Sequence, residues 1–318
     1  MGRRVTWVVV SAVAAVAVAA TVEALRGEPE ARLTPTTTPE RPQAARAAPI
    51  LPISGRDDVR ELLEAAGANG VLYLGDRNCR LRTLLLPAVE WRSQPNRPVP
   101  CRFTVDAAGG IHPDDVRIEP FSDLRADCHE NRIEVFTPLG TSLASYRDAC
   151  APAWRYGGSL TFVRHGELVL SIDRHEERVL LTRADLAHAL GPGSRLREVA
   201  WLDDEVYAAN VRRPHETVLA VFRGDELVAP PSFSSPRIDG LRATGRLVAA
   251  RTATSGPGIT FFSHTGRELL TVEDGHSISW APGGVVAAVA TPSLLVFVAP
   301  ATGERAPLAL VATDLEWR

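Results

Sequence analysis

The chain has 318 residues, of which 45% are hydrophobic and 23% charged, and its 35 basic residues against 38 acidic ones give a net charge of −3. All 35 basic residues are arginine, and lysine is absent. P-loop nucleotide binding, protein kinase activity and Schiff-base chemistry each need a lysine, so these classes are excluded. The slightly acidic charge also argues against nucleic acid as a partner.

The first 26 residues predict a membrane-targeting segment. Residues 5–22 carry no charge, and as a helix at ~1.5 Å per residue they would span about 27 Å, close to the hydrocarbon thickness of a bilayer. Arg3 and Arg4 favour a cytoplasmic N-terminus. We expect a single-pass anchor at the cell membrane, with secretion after signal-peptide cleavage near Ala17-Val18-Ala19 as the alternative. Both interpretations place the rest of the chain outside the cytoplasm.

Two short segments separate this anchor from the main domain. Residues 27–53 are rich in Pro, Thr and Ala, which predicts a disordered linker. Residues 54–68 predict a short amphipathic helix, with Ser54 as its cap, Asp57 completing a capping box and Gly67 at its end. We expect its narrow apolar face to pack on the domain that follows.

Four cysteines, an even number in an exported chain, predict disulfides. Both Cys79 to Cys101 and Cys128 to Cys150 are separated by 22 residues, and no C-x-x-C motif is present. The repeated spacing favours the pairs Cys79–Cys101 and Cys128–Cys150 among the three possible connectivities. A redox pair or a zinc ribbon is not expected.

Short apolar and β-branched segments recur through residues 69–318. Trp154, Trp201, Leu241, Trp280 and Trp317 each lie at the end of an apolar segment, at separations of 37 to 47 residues. A third strand follows in several units, as at 133–136, 218–222 and 294–298. Four short strands per unit of about 40 residues are typical of a propeller blade.

The sequence therefore predicts an all-β fold, a β-propeller of about six four-stranded blades, with seven as the alternative because the stretch from Pro100 to Asp115 fits no full blade. Residues 314–318 resemble the first strand of a repeat unit, whereas no such strand precedes the segment at 71–74. Joining the two ends would complete one blade and close the ring. A pair of β-sandwiches is the rival architecture.

One turn motif carries a family resemblance. Trp280-Ala281-Pro282-Gly283-Gly284 resembles the Trp-Ser-Pro-Asp-Gly repeat of TolB-like, or WD40-like, β-propellers, and the turns after Trp154 and Trp201 are degenerate copies. The resemblance covers residues 70–318 and implies a propeller fold without fixing a function. It implies that Trp154, Trp201, Trp280 and Trp317 belong to the blade cores. In such a blade the two predicted disulfides would each join a turn between strands two and three to the connection entering the next blade.

The dipeptide His-Glu occurs three times, at His129-Glu130, His175-Glu176 and His215-Glu216. No second histidine follows at the zincin spacing, so H-E-x-x-H is absent. The spacing of about one blade predicts equivalent turns on one rim, with solvated side chains favoured over a shared metal site.

Other candidate groups favour structural roles. Asp203-Asp204-Glu205 could supply paired carboxylates for glycoside hydrolysis, but its position predicts a solvated turn. Gly191-Pro192-Gly193 follows a short helix predicted at 183–190 with Thr182 as its cap, and is a stop signal rather than a phosphate loop. The Arg212-Arg213 pair could bind anionic groups on a rim. We find no catalytic residues, metal site or cofactor site in these patterns.

These observations predict a non-catalytic, membrane-tethered extracytoplasmic propeller that binds an envelope protein, peptide or glycan and does not bind nucleic acid. A propeller hydrolase or lyase acting on envelope glycan or peptide is the first alternative. It would require carboxylates and histidines converging at the channel mouth, with raised carboxylate pKa values. A purely structural envelope protein, without a cavity on the axis, is the second.

Overall fold

The computed structural model describes residues 54–92, 98–113, 116–119, 122–173, 176–254 and 256–318. The predicted membrane segment at 5–22, the linker at 27–53 and His175 lie outside these residues. None of the helices in the described part of the chain has the length and apolar character needed to cross a membrane.

In the described residues, twenty-seven strands form seven antiparallel sheets arranged as the blades of a β-propeller. Blades one to three contain β1 (Gly70–Gly75), β2 (Leu81–Leu86), β3 (Glu90–Trp91), β4 (Phe103–Val105), β5 (Ile111–Pro113), β6 (Val116–Ile118), β7 (Arg125–His129), β8 (Arg132–Phe136) and β9 (Ser142–Arg147). Blades four and five contain β10 (Ala149–Trp154), β11 (Leu160–Arg164), β12 (Glu167–Ser171), β13 (Glu177–Leu181), β14 (Arg195–Trp201), β15 (Val206–Arg212), β16 (Thr217–Arg223), β17 (Glu226–Ala229) and β18 (Ser234–Ser235). Blades six and seven contain β19 (Ile238–Thr244), β20 (Leu247–Thr252), β21 (Gly258–Ser263), β22 (Glu268–Glu273), β23 (Ser277–Trp280), β24 (Ala287–Ala290), β25 (Leu295–Ala299) and β26 (Glu304–Leu308), and β27 (Asp314–Trp317) ends the chain.

The ring is closed by its two ends. Strand β27 pairs antiparallel with β1, so blade one has the order β27-β1-β2-β3. The inner strands follow one another around the axis, with β27 between β23 and β4, and β6, β10, β14 and β19 continuing the circle. Blades six and seven share an apolar core that contains Phe261 and Val289. The predicted joining of the chain ends is confirmed, since the closing blade takes one strand from the end of the chain and three from its beginning.

The ring has seven positions, the alternative to the six that the repeat length favoured. Six sheets have at least four strands, and the seventh is the two-stranded blade β4–β5. The segment between Pro100 and Asp115 is too short for four strands, and its described residues form an inner strand and one neighbour. Strand β4 still lies next to β27 and β6, which keeps the circle of inner strands continuous.

A polar cluster joins the short blade to blade three. His112 Nε2 lies 2.9 Å from Asp106 Oδ2, and Arg125 Nη1 lies 3.2 Å from His112 Nδ1. Burial acts to raise the pKa of Asp106, but the hydrogen bonds from His112 and the Gly110 N–H outweigh it, so this pKa lies below its usual value. These contacts connect β5 of the short blade to β7 of blade three.

Two disulfides stabilise the same side of the ring, and both have the predicted pairing. Cys79–Cys101 joins the β1–β2 turn to the segment that enters β4, and Cys128–Cys150 joins β7 to β10, the inner strand of the next blade. Each bond therefore connects neighbouring blades.

Helix α1 (Arg56–Ala65) packs its buried residues Val59, Leu62 and Leu63 against blade seven. The predicted capping box at its start is wrong, because Gly55 is the N-cap residue and no side chain caps the helix. The Pro307 carbonyl oxygen would lie 2.1 Å from a Cβ at Gly55, whose φ is 85°. This close approach to β26 sets the start of the helix. The second helix, α2 (Arg183–Leu190), has the predicted Thr182 cap and ends at Gly191.

Candidate functional site at the channel mouth

The inner strands of the blades all begin at one end of the central channel. Residues near these starts include Arg117 on β6, Ala151 on β10, Glu198 on β14, Asp239 on β19 and Asp314 on β27. We call the surface formed by these strand starts the channel mouth. Both disulfides lie at this end, because they connect turns and strand starts on the same side of the ring.

β-Bulges shape the mouth in three successive blades. The register shifts between Cys150 and Ala153 on β10, between Leu196 and Glu198 on β14, and between Asp239 and Arg242 on β19. Ala151 and Gly240, inside the first and third bulges, have φ values of 51° and 61°. Bulges bend a strand and redirect its side chains, and they often occur beside functional sites. Here they place Ala151, Arg197 and Gly240 in the walls of cavities.

Four adjacent cavities lie among the inner strands. The blade-five cavity, of about 400 Å³, lies beside Arg197, Asn210 and Arg212. The inner cavity, of about 390 Å³, shares Glu198 and Ala151 with it. The axial cavity, of about 60 Å³, is lined in part by Arg117 and Arg242, which also line the inner cavity. The blade-four cavity, of about 380 Å³, shares Arg197 with the blade-five cavity. The shared residues make the four cavities parts of one continuous surface at the mouth.

Arginine is the commonest charged residue of this surface. The axial, inner and blade-five cavities are lined by seven arginines and four acidic residues, namely Arg102, Arg117, Arg197, Arg212, Arg237, Arg242 and Arg251 with Glu198, Asp239, Asp314 and Glu316. The whole chain has a net charge of −3. The mouth is therefore locally positive in an acidic protein, which favours anionic ligands.

Glu198 lies half-buried where the inner strands of three blades meet. Its Oε1 accepts a hydrogen bond of 3.1 Å from the Leu241 N–H. Burial raises the pKa of Glu198 above its usual value, and the charges of Arg117 and Arg242 offset only part of that effect. A carboxyl group with this environment can hold a proton at a higher pH than an exposed one.

Asp239 is held between two arginines. Its Oδ1 accepts a hydrogen bond of 2.7 Å from Arg251 Nε, and its Oδ2 pairs with Arg237. A Cβ at Gly240 would lie 2.9 Å from Arg251 Nε and Nη2. Glycine at this position therefore leaves room for the Arg251 guanidinium group.

Asp314 connects three blades at the edge of the axial cavity. Its Oδ2 accepts a hydrogen bond of 2.7 Å from the Phe103 N–H, and its Oδ1 accepts one from the Ser277 hydroxyl. His276 lies nearby, with Nε2 3.2 Å from the Ala312 carbonyl oxygen. These contacts tie β4, β23 and β27 together and fix the shape of this side of the mouth.

The His-Glu dipeptides do not occupy equivalent turns. His129-Glu130 and His215-Glu216 lie between the second and third strands of blades three and five, whereas Glu176 lies between the third and fourth strands of blade four. These two kinds of turn lie at opposite ends of the channel. The prediction of one common rim position is therefore wrong. Glu176 follows the third strand of its blade, whereas the other two dipeptides follow the second strand of theirs.

None of the described His-Glu residues lines the four cavities. His129 and Glu130 are exposed, with His129 Nε2 3.6 Å from Glu130 Oε1, and Glu216 pairs with Arg213 at 2.9 Å. Within the described ranges, no three His, Cys, Asp or Glu side chains lie close enough to hold a metal ion.

Asp203-Asp204-Glu205 forms the turn between β14 and β15, at the end of the channel opposite the mouth. Asp203 Oδ1 accepts the N–H groups of Glu205 and Val206, both at 2.7 Å. Asp204 Oδ1 accepts the Gly157 N–H at 2.9 Å. These carboxylates stabilise their own turn and its neighbour.

The four repeat tryptophans end inner strands in the blades. Trp201 and Trp317 are buried, and Trp154 and Trp280 are half-buried. The indole N–H of Trp201 donates to Thr161 Oγ1 at 2.8 Å, and that of Trp154 donates to the Arg117 carbonyl oxygen at 3.0 Å. Each of these two bonds reaches the preceding blade, which explains why large residues recur there.

The sequence patterns did not identify most of the mouth residues, although several of these residues share one position in the repeat. Ala151, Glu198, Ser277 and Asp314 each lie three residues before a repeat tryptophan, and all four line the mouth. This position of the repeat therefore marks residues that line the mouth. Arg212, which the sequence analysis noted as one of a pair, lines the blade-five cavity, whereas its neighbour Arg213 forms an ion pair with Glu216.

The fold resembles solved structures of other proteins. A candidate 6-phosphogluconolactonase from Bacteroides fragilis has a TM-score of 0.51 and 11% identity, covering 79% of this chain and 98% of that one. A protein from Lactobacillus plantarum has a TM-score of 0.51 and 8% identity, covering 79% and 99%. No protein-family model matches the sequence, and no curated protein matches it. At these identities the similarity establishes the fold alone, and the chain is a β-propeller with a positively charged channel mouth.

Proposed function

We propose that this protein is a non-catalytic extracytoplasmic propeller that binds an anionic protein, peptide or glycan of the cell envelope at its channel mouth. The concentration of seven arginines around the mouth of an acidic chain is the observation that supports it. Arginine binds carboxylate and phosphate groups through paired hydrogen bonds, and it remains charged at every physiological pH.

The proposed location follows from two features of the chain. Disulfides persist in oxidising compartments outside the cytoplasm, and all four cysteines of this protein are paired. The uncharged residues 5–22 would tether the propeller to the membrane, with the TolB-like or WD40-like propellers as the suggested relatives.

The enzyme alternative, a hydrolase or lyase, has one observation in its favour. Glu198 is a half-buried carboxyl group with a raised pKa beside the inner cavity, and such groups serve as general acids or bases in many active sites. If Glu198 acts in this way, Glu198→Gln should abolish turnover of an envelope glycan or peptide while leaving its binding intact. The purely structural alternative predicts no cavity on the axis, whereas inner strands of several blades line a small cavity of about 60 Å³.

The binding proposal can be tested by chromatography of the full-length protein on heparin, a polyanion. The variant Arg102→Ala/Arg237→Ala removes two exposed mouth arginines, and Arg223→Ala/Arg267→Ala removes two exposed arginines from the opposite side of the ring. We expect the first variant to elute at lower salt than the wild type and the second to elute with it. Equal elution of all three proteins would contradict the proposal.

A further inference from the structure

Blade five carries a cross-strand pair of like charges at the mouth. Arg195, the first residue of β14, lies directly opposite Arg212, the last residue of β15. Side chains at opposite positions of an antiparallel pair point to the same face, with Cβ atoms about 5 Å apart, and like charges there are destabilising. Both arginines are exposed.

Arg197 adds a third charge beside this pair. It lies in the β14 bulge, between Leu196 and Glu198, and so has no partner in the β15 register. Its exposed side chain lines both the blade-four and the blade-five cavities, which are lined by Arg195 and Arg212 respectively. The three residues, here called the arginine triplet, thus line two neighbouring cavities that share Arg197.

No acidic side chain in the described part of the chain forms an ion pair with the triplet. Asp148, Glu198 and Asp239 line the same two cavities. Glu198 interacts with Arg117 and Arg242, and Asp239 pairs with Arg237 and Arg251. Asp148 is exposed and forms no ion pair with the triplet, so the positive charge of the three arginines is available to a ligand.

We propose that the arginine triplet binds a doubly charged phosphate group, as inorganic phosphate or as a phosphate monoester on a larger molecule. This inference rests on the proposed anion-binding function and specifies the ligand and its position. Three guanidinium groups can donate to the three terminal oxygens of a monoester, which carries a charge of about −1.5 to −2 near neutral pH. A carboxylate offers two oxygens and one negative charge, so it would leave part of the triplet unpaired.

The proposal also explains why the protein keeps two arginines whose charges repel each other. Repulsion between Arg195 and Arg212 lowers the stability of the free protein, and a bound dianion would remove it. Functional sites commonly keep such unfavourable arrangements because the ligand compensates for them. Removing one arginine should therefore stabilise the free protein while weakening phosphate binding, a combination that a merely structural arginine would not produce.

The experiment uses the full-length protein at pH 8 and constant ionic strength, with isothermal titration of inorganic phosphate, glycerol 3-phosphate, dimethyl phosphate and acetate. We expect phosphate and glycerol 3-phosphate to bind about tenfold or more tightly than the two monoanions, the ratio that one additional charged hydrogen bond would supply. Preference for inorganic phosphate alone would identify a free-ion site, and preference for glycerol 3-phosphate would identify an esterified ligand. Equal binding of acetate, or no binding of phosphate, would overturn the proposal.

Three variants complete the test. Arg195→Gln and Arg212→Gln should each weaken phosphate binding about tenfold and should melt at a higher temperature than the wild type without ligand. Arg223→Gln, at an exposed strand end on the other side of the same sheet, should change neither measurement. Unchanged phosphate affinity in both triplet variants would contradict the site. Retention on heparin tests the mouth separately through Arg102 and Arg237, so failure of the phosphate site would not be confused with failure of the proposed function.

Discussion

Trp317, on the last strand, donates its indole N–H to the backbone carbonyl of Asn69, immediately before the first strand, at a distance of 3.0 Å. Its backbone N–H donates to Ser279 Oγ at 2.9 Å, and its ring contacts Phe297 edge to face. One buried side chain therefore connects the two ends of the propeller and the neighbouring blade.

Trp317→Ala should lower the free energy of unfolding by about 3–5 kcal/mol, because it removes a buried ring and the hydrogen bond that closes the ring of blades. Urea denaturation measures this change. Trp91→Ala, on the half-buried outer strand β3 of the same blade, is the matched control and should cost less. Equal losses would show that ring closure does not depend on Trp317.

A hydrogen-bond relay couples blades four and five. The Trp201 indole N–H donates to Thr161 Oγ1 at 2.8 Å, and the Thr161 hydroxyl donates to the Ala153 carbonyl oxygen at 2.8 Å. Thr161→Val should lower stability by about 1–3 kcal/mol, because two buried groups lose their partner. In the background of Trp201→Phe the same change should cost less, and a double-mutant cycle with no coupling would refute the relay.

Each disulfide should contribute to stability by restricting the unfolded chain. Cys128→Ala/Cys150→Ala should lower the free energy of unfolding by about 3 kcal/mol, the value expected for a loop of this length. The Cys79→Ala/Cys101→Ala variant should show a similar loss, and thermal denaturation under non-reducing conditions compares them. Peptide mapping that links Cys101 to Cys128 would contradict the pairing.

We expect Glu198 to make the stability of the protein depend on pH. Burial raises its pKa in the folded protein, so its contribution is complete below the pKa of an unfolded glutamate and is lost as the pH rises through the folded-state pKa. Glu198→Gln should therefore gain stability relative to the wild type between pH 4 and pH 8. Urea denaturation across this range tests it, with Glu226→Gln on the exposed face of β17 as the control. A difference that does not vary with pH would contradict the raised pKa.

The β10 bulge holds a non-glycine residue in a left-handed conformation, since Ala151 has a φ of 51°. Ala151→Gly should leave stability unchanged or raise it, because glycine adopts this conformation without steric cost. Ala153→Gly, outside the bulge on the same strand, should lower stability by roughly 0.5–1 kcal/mol. Thermal melting compares the two variants, and equal losses would show that the bulge at Ala151 is unstrained.

The sequence alone determined those features that depend on local periodicity. The tryptophans at 154, 201, 280 and 317 mark the ends of four inner strands, and the indole groups of Trp154 and Trp201 bind the preceding blade. The equal spacing of the cysteines identified both disulfides, since each spans the same pair of positions in a blade. The short segment between Pro100 and Asp115 indicated a seventh position without showing that only two strands form there.

The absence of lysine excluded several classes of chemistry from the start, but only the tertiary structure decided what the arginines do. Arg117, Arg197 and Arg242 are distant in sequence and lie on three different inner strands. The circular arrangement brings them to one mouth, and the bulges, which no hydrophobic pattern records, turn side chains such as Arg197 into the cavity walls. Periodicity reports which residues a blade buries, whereas a site formed between blades depends on how the blades meet.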